Sequence, residues 1–309
     1  MIYTLTLNPA VDRELTVPSL AYDTVLRATH ARVDFGGKGF NVSRLLAGLG
    51  APTTAVGFLG GRAGELLRDG LLAQGIGVDC VWVDGETRTN VSIVSQQDGH
   101  YLKVNEAGPP IPSHKSAELL AKITALARPG GWWVLSGSLP PGLPDDAYAP
   151  IIQALNQRGA NALLDTSGPP LRLGCLARPF LVKPNAEEAA ALTGLPIDSP
   201  ADARRAAAAI HALGPRHVVI SLGKHGALLY APTGTWLAHS PPITQKNPTG
   251  AGDSLLGALT WALASGCSLP QALAWGVAAG AATASLAGTT LGSRPLIESL
   301  LPLVRIEEI

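Results

Sequence analysis

The stretch NPTGAGDS, residues 247–254, leads directly into a predicted helix over residues 252–265. Gly250 and Gly252 allow the backbone to turn so that several N–H groups point in one direction. At the N-terminus of a helix, these donors and the helix dipole favour an anion. A carboxylate at Asp253 could then take a proton from a hydroxyl while the amides stabilise a transferring phosphoryl group. The alternative is a glycine turn whose aspartate only stabilises the helix.

A second glycine-rich stretch, FGGKGFNV at residues 35–42, also opens a predicted helix. Backbone amides, Lys38 and Asn41 could all face a polar ligand there. The stretch is not a P-loop, because Lys38 is followed by glycine instead of serine or threonine. It is also a poor dinucleotide fingerprint, because Val42 stands at the third glycine position. A plain strand-to-helix turn remains the alternative.

Outward from these two stretches, short apolar runs alternate with helical patterns, which predicts βαβ units and a mostly parallel sheet covered on both faces. The predicted strands are Ile2–Leu7, Thr54–Phe58, Trp132–Leu135, Ala162–Leu164, Phe180–Val182 and His217–Ser221. The predicted helices are 41–49, 62–74, 114–127, 146–158, 186–193 and 200–213. Ligands of such sheets bind at the carboxyl ends of the strands.

Two extended segments, residues 11–35 and 84–105, interrupt the alternation. The second contains Asp98-Gly99 between two strand-like runs, which is typical of a hairpin. These segments predict a small antiparallel sheet that acts as a lid. No long linker or repeat divides the chain, so we expect one domain over residues 1–309.

Charge is scarce: 15% of the side chains are charged, and 23 basic residues balance 23 acidic ones. This balance argues against nucleic acid and anionic membranes as partners. Residues 254–293 contain no charged side chain and could suggest a membrane span. Frequent glycines and Pro270 favour two buried helices instead, over 252–265 and 269–286. The N-terminus lacks a signal-peptide pattern, and three scattered cysteines predict reduced thiols in a cytoplasmic protein.

Together the two glycine-rich stretches resemble the signature motifs of the ribokinase/PfkB carbohydrate kinase family. Further stretches extend the resemblance along the chain: TLNPAVD (6–12), TRTN (87–90), SGSLPPG (136–142), KPNAEE (183–188) and SLGKHG (221–226). The resemblance implies a three-layer α/β/α fold, a β lid and phosphoryl transfer from ATP. Within the family, the pattern is similar to the branch that contains 1-phosphofructokinase, tagatose-6-phosphate kinase and the minor 6-phosphofructokinase.

Different parts of the chain point to different members of that branch. Lys38 resembles 1-phosphofructokinase and tagatose-6-phosphate kinase, and the stretch NVSRLL (41–46) resembles 1-phosphofructokinase. In contrast, GVAAG (276–280) and TLGS (290–293) resemble the 6-phosphofructokinase. The expected reaction is conversion of fructose 1-phosphate to fructose 1,6-bisphosphate. The alternatives are the other two activities of the branch, a kinase for an unphosphorylated sugar or nucleoside, and a non-catalytic sensor of sugar phosphates.

The resemblance also assigns residues to roles. The catalytic group comprises the general base Asp253 and the amides of Gly250, Ala251 and Gly252. The substrate group comprises Asp12, Arg27, Gly37, Lys38, Asn41, Arg88 and Ser138. The nucleotide group comprises Lys183, Asn185, Ser221, Gly223, Gly226, Ala279 and Ser285.

The implied cofactor is Mg²⁺, held by Asn185 and Glu188 through water, with ATP as co-substrate. The same two residues also fit a capping box, which would give them a structural role only. Asp165, at a predicted strand end, is expected to shape the cleft. Arg27 and Arg88 on the lid and Lys38 on the first glycine loop suit a sugar phosphate, which needs cations or amides. The partners implied are ATP, a small sugar phosphate and a second copy of the chain, paired through the lid.

Overall fold

The fold centres on a sheet of eleven strands, seen in a computed structural model that describes residues 1–309. Its strands are β1 (Ile2–Thr6), β4 (Thr53–Leu59), β5 (Gly77–Val78), β6 (Val81–Trp82), β9 (Trp132–Ser136), β10 (Asn161–Asp165), β11 (Leu181–Val182), β12 (His217–Ser221), β13 (Ala227–Ala231), β14 (Gly234–His239) and β15 (Arg305–Glu308). From β12 through β11, β10, β9, β1 and β4 to β5 the pairing is parallel, and β13 to β15 continue it in antiparallel fashion.

Ten α-helices accompany this sheet. They are α1 (Lys38–Gly48), α2 (Gly61–Leu72), α3 (Ser113–Leu126), α4 (Tyr148–Gln157), α5 (Gly168–Leu176), α6 (Ala186–Thr193), α7 (Pro200–Ala212), α8 (Ala251–Ala264), α9 (Leu269–Ala284) and α10 (Arg294–Leu300). Helices α8 and α9 begin and end within two residues of their predicted bounds. None of the helices combines the length and the apolar character that a membrane crossing requires.

The core lies on both faces of the sheet, because neighbouring residues of each buried strand point in opposite directions. In β9, Trp133 and Leu135 pack with helices α3 to α7, whereas Val134 packs with α1, α8 and α9. In β10, Leu164 packs on the side of α3 to α7, and Leu163 packs on the side of α1, α8 and α9. This arrangement confirms the predicted three-layer α/β/α fold with a mostly parallel central sheet.

A separate sheet of four strands contains β2 (Ala10–Val17), β3 (His30–Gly36), β7 (Arg88–Ser95) and β8 (Tyr101–Asn105), in the order β3-β2-β7-β8. The pairs β2–β3 and β7–β8 are antiparallel, as expected. The central pair β2–β7 is parallel, because β2 follows β1 and β7 follows β6 along the chain, and β1 and β6 both run parallel to β4 in the main sheet. We call this sheet the lid.

Candidate functional site

Asp253 lies in the first turn of α8 and is 7% exposed. Its Oδ2 atom accepts a hydrogen bond of 2.9 Å from Nδ2 of Asn41, which α1 supplies from the other glycine-rich stretch. Burial raises the pKa of Asp253, and so does the neighbouring Asp165, while Lys38, Asn41 and Lys183 act in the opposite sense; the net pKa is about 6. A carboxylate with a pKa near neutrality is suited to accept a proton in a catalytic step.

The turn before α8 leaves backbone donors free. Gly250 has a φ of 81°, a left-handed conformation that favours glycine, and its carbonyl accepts the Ser254 amide at 2.9 Å. The amides of Gly250 and Gly252 have no protein acceptor, whereas the Ala251 amide donates to the carbonyl of Pro248 at 3.1 Å. Of the three amides expected to form the anion site, two are therefore available and Ala251 is engaged within the turn.

Two lysines meet a buried carboxylate beside this turn. Asp165, at the carboxyl end of β10, is 1% exposed, and its Oδ1 lies 3.3 Å from Nζ of Lys38 and 3.5 Å from Nζ of Lys183. Asp165 is the main cause that raises the pKa of Lys38 above its usual range. A Cβ placed on Gly252 would lie 3.5 Å from Nζ of Lys183, so this ammonium group borders the turn before α8.

Asp165 is thus more than a residue that shapes the cleft. Its second oxygen, Oδ2, is buried and has no hydrogen-bond partner, although both lysines approach its other oxygen. A buried carboxylate of this kind needs the charges around it. The only sequence signal for Asp165 is an acidic residue at the end of a buried strand, and its two lysine partners come from other elements.

Asp12, expected to bind the sugar, lies on the lid strand β2. Asn90 of the adjacent strand β7 donates to its Oδ1 at 2.7 Å, and burial raises the pKa of the Asp12 carboxyl. Gly36 makes room for this carboxylate, since a Cβ there would lie 2.0 Å from Oδ2 of Asp12. Asn90 belongs to one of the quoted motifs, but the sequence did not indicate that it orients Asp12.

The first glycine loop is pressed against the end of β1. A Cβ on Gly37 would lie 2.8 Å from Cγ2 of Thr6, and Gly37 has a φ of 113°. A Cβ on Gly39 would lie 2.5 Å from Oγ1 of the same threonine. This close approach places α1, and with it Lys38 and Asn41, at the carboxyl edge of the main sheet.

The three basic residues expected to hold a phosphate have different surroundings. Lys38 is paired with Asp165. Arg88 donates from Nε and Nη2 to the Asn8 carbonyl at 3.2 and 3.0 Å, and from Nη1 to the Glu106 carbonyl at 3.2 Å. Arg27 is exposed on the irregular segment 18–29, not on a strand. The side chains of Lys38 and Arg88 are therefore held in place by hydrogen bonds and an ion pair, whereas the side chain of Arg27 is exposed.

Ser138 is exposed on the loop that follows β9. The preceding Gly137 has a φ of 112°, and its carbonyl accepts hydrogen bonds of 2.9 Å from the Tyr148 and Thr166 hydroxyls. These bonds fix the path of the loop at the same sheet edge, between the ends of β1 and β10.

Ser221, Gly223 and Gly226, predicted on the nucleotide side, form the turn between β12 and β13. Ser221 bridges to Asn185, its amide donates to the Pro184 carbonyl at 3.0 Å, and Gly226 closes the turn. Gly226 has a φ of 101°, and a Cβ there would lie 1.9 Å from the carbonyl oxygen of Ala238, so only glycine fits. A Cβ on Gly223 would meet no other atom within 4 Å, so the turn is open at that residue.

Asn185 and Glu188 form a reciprocal capping box at the start of α6. The Asn185 amide donates to Oε2 of Glu188 at 2.9 Å, and the Glu188 amide donates to Oδ1 of Asn185 at 2.8 Å. This bonding uses one carboxylate oxygen of Glu188 and leaves the other available. Since Mg²⁺ keeps most of its waters and takes few direct carboxylates, the pair fits an indirect Mg²⁺ site as well as a cap.

The last two residues of the predicted nucleotide group, Ala279 and Ser285, have different surroundings. Ala279 has no exposed surface and packs in the core with Leu45 and Ala258, so the prediction that it lines the nucleotide site is wrong. The reason is that α9 is apolar on most of its circumference, so its sequence does not indicate which face is open. Ser285 ends α9 in a half-buried position and donates to the Ala282 carbonyl at 2.7 Å.

A contact that the sequence does not predict joins the lid to the loop after α9. Oγ1 of Thr289 donates to Oδ2 of Asp34 at 2.5 Å and accepts from Nη2 of Arg32 at 2.8 Å. The carbonyl of the adjacent Gly288 accepts a hydrogen bond of 2.9 Å from Nδ2 of Asn247, which begins the turn before α8. The lid strand β3 is thus bonded to the segment that borders the turn before α8.

Comparison with known proteins agrees with this geometry. Residues 5–295 match the family model described as pfkB family carbohydrate kinase. A 1-phosphofructokinase of Xanthomonas campestris is 39% identical, over 84% of this chain and 83% of its own length. A 1-phosphofructokinase of Borreliella burgdorferi is 34% identical, over 100% of this chain and 99% of its own. The crystal structure of phosphofructokinase-2 from Escherichia coli in complex with potassium superposes with a TM-score of 0.93 at 33% identity, over 97% of this chain and 98% of that one. The chain belongs to the pfkB family of carbohydrate kinases.

Proposed function

We propose that this protein transfers the γ-phosphoryl group of ATP to the 6-hydroxyl of fructose 1-phosphate. The hydroxyl oxygen forms a bond to the γ-phosphorus while the bond from that phosphorus to the β,γ-bridging oxygen breaks, and ADP leaves. Asp253 accepts the hydroxyl proton. The products are fructose 1,6-bisphosphate and ADP.

One observation carries the proposal: the Asp253 carboxylate, the free amides of Gly250 and Gly252 and the Lys183 ammonium meet at the start of α8. Phosphoryl transfer needs positioned positive charge and donors around the transferring group, and a base that orients the attacking hydroxyl. The choice of fructose 1-phosphate is supported by relatives that carry the name 1-phosphofructokinase at 33–39% identity.

The sugar is held from the lid and from α1. Asp12, oriented by Asn90, and Asn41 bind the sugar hydroxyls. Arg88 retains free N–H groups after its three carbonyl contacts, and these bind the 1-phosphate. Lys38 contributes from the first glycine loop, Ser138 from the loop after β9, and Arg27 joins when the lid covers the substrate. Covering the site excludes water and limits ATP hydrolysis.

The nucleotide lies along the ends of β11 and β12, where Lys183, Ser221 and Gly223 face it. Asn185 and Glu188 hold Mg²⁺ through its water shell, and the metal offsets the negative charge of the β- and γ-phosphates. This assignment uses the Glu188 oxygen that the capping box leaves free.

The proposal includes a homodimer formed through the lid and a place in the cytoplasm. Apolar side chains are exposed on the lid strands β3 and β8, namely Val33, Tyr101, Leu102 and Val104. Leu102 and Val104 lie on the same face of β8, and exposed apolar side chains that adjoin in this way often mark a protein interface. Light scattering at several protein concentrations tests this point: a dimer mass supports it, and a monomer that persists at high concentration contradicts it.

Measurement of ADP release against a panel of acceptors tests the activity. Fructose 1-phosphate, fructose 6-phosphate, tagatose 6-phosphate and free fructose are compared at matched concentrations with ATP and Mg²⁺. We expect the highest kcat/KM with fructose 1-phosphate and little turnover with fructose. Preference for an unphosphorylated acceptor, or no ADP release with any acceptor, would overturn the proposal.

A second candidate acceptor is fructose 6-phosphate. A specific observation favours it: phosphofructokinase-2 of Escherichia coli, crystallised in complex with fructose 6-phosphate, superposes with a TM-score of 0.90 over 97% of this chain. In that case the hydroxyl on carbon 1 attacks, and the same Asp253 accepts its proton. The panel above separates the two acceptors directly.

A further inference from the structure

Arg44 lies on α1 one turn after Asn41, on the same face of the helix. Its side chain is 15% exposed, and Nη1 donates to Oδ1 of Asn41 at 3.3 Å. Its Nη2 lies 3.9 Å from Oδ1 of Asp34 on the lid strand β3. The remaining Nε is buried without an acceptor. A buried guanidinium with this incomplete bonding is costly, and neither the fold nor the proposed substrate contacts require it.

The contact matters because the amide of Asn41 has two different ends. Its Oδ1 faces the Arg44 cation, and its Nδ2 donates to the Asp253 carboxylate at 2.9 Å. An isolated asparagine amide is free to rotate by half a turn and exchange oxygen for nitrogen. With a cation on one side and an anion on the other, only the observed orientation pairs both ends correctly.

We infer that Arg44 is a positioning residue, which fixes the Asn41 amide so that it donates to the general base and which ties that orientation to Asp34 of the lid. Arg44 itself does not contact the reacting atoms. The inference rests on the proposed role of Asp253 and deepens it, because it adds a link from the lid to the base.

The lid end of this link is itself anchored. Asp34 also accepts from Nε of Arg32 at 2.8 Å and from Oγ1 of Thr289 at 2.5 Å. Its carboxylate is therefore held where Arg44 approaches it. A lid that moves away takes Asp34 from Arg44 and leaves the Asn41 amide less constrained, so the base is fully oriented only when the lid is in place.

A double-mutant cycle between Arg44→Met and Asn41→Ala tests the inference. Methionine keeps the length of the arginine stem but removes the charge and its donors. With Asn41 present, we expect Arg44→Met to lower kcat about 10-fold, the size of one charged hydrogen bond. With Asn41→Ala already in place, Arg44→Met should change kcat less than about 2-fold, because the group it acts through is gone. Equal factors in both backgrounds would overturn the inference.

The pH profile of kcat gives a readout that a purely structural role would not move. Asp253 is faced by Asp165 from β10, by Lys38 and Asn41 from α1 and by Lys183 after β11. A donated hydrogen bond favours its ionised form, so Arg44→Met should shift the acid limb to higher pH when Asn41 is present. The limb should stay in place when Asn41 is alanine. A shift of equal size in both backgrounds would point to a direct charge effect and contradict the inference.

Two controls keep the result interpretable. Arg68→Met removes an exposed arginine of α2 that pairs with Asp69 far from the site, and it should leave kcat unchanged. Thermal unfolding of each variant shows whether loss of activity follows loss of fold. If Asp253→Asn retained normal turnover, the proposed function would fail. If Asp253→Asn is inactive and the cycle is additive, only the inference about Arg44 fails.

Discussion

The two sides of the site differ sharply in charge. Helices α8 and α9 support Asp253 from a stretch, residues 254–293, without any charged side chain. The lid opposite carries Asp12, Asp34 and Arg88 on three of its four strands. The difference separates two tasks. Under the proposed function, an apolar support that raises the pKa of a buried carboxylate suits a general base, whereas a polar sheet suits the recognition of a charged sugar by hydrogen bonds and ion pairs.

The largest effect is expected when the base on the apolar side is removed. Asp253→Asn keeps the size of the side chain and should lower kcat by about 10²–10⁴-fold, because no other carboxylate is bonded to Asn41 in its place. Circular dichroism checks that the fold is intact, and Asp69→Asn on the exposed face of α2 serves as the matched control. Turnover near that of the native protein would show that Asp253 on the apolar side is not the general base.

A smaller effect is expected on the lid. Arg88→Ala removes charged donors and should raise KM for the sugar phosphate by about 10–150-fold, while KM for ATP stays the same. Arg68→Ala is the control, because Arg68 is an exposed arginine of α2 that pairs with Asp69 and has no part in the lid. An equal rise in KM for both substrates would contradict the assignment of the phosphate to the lid.

The smallest effect should come from the contact that joins the two sides. Thr289→Val removes the hydroxyl that bonds to both Asp34 and Arg32, and we expect kcat/KM for the sugar phosphate to fall about 2–10-fold. The neighbouring Thr290 is exposed, so Thr290→Val should have no effect. Identical kinetics for the two variants would indicate that the lid works independently of the loop after α9.

Much of the main sheet and its helices was predictable from the sequence, because the alternation of short apolar strands with amphipathic helices is a local pattern. The glycine turn before Asp253 was predictable for the same reason: Gly250 adopts the left-handed conformation that its residue type allows. The parallel pairing of β2 with β7 was not, since it joins segments nearly 80 residues apart and depends on how two separate hairpins meet.

The residues that orient others were also missed. Asp165 gains its importance from lysines on α1 and after β11, and Asp34 from a threonine 255 residues away along the chain. No spacing rule indicates such contacts, because they exist only after the sheet has assembled. Ala279 shows the opposite failure: a motif-like position in an apolar helix turned out to be core.

The pH dependence of kcat with saturating fructose 1-phosphate tests the central claim most directly. The base must be ionised to accept a proton, so kcat should be half-maximal near pH 6, the pKa of Asp253, level well above that pH and fall about tenfold per pH unit well below it. The substrate phosphate also titrates near pH 6, but its ionisation does not depend on the enzyme variant. The ammonium of Lys38 lowers the pKa of Asp253, so Lys38→Met should move the acid limb to higher pH. A limb that moves upward in this variant is the result that we predict, and a limb that stays at the position of the native protein would contradict the role of Asp253 as the general base.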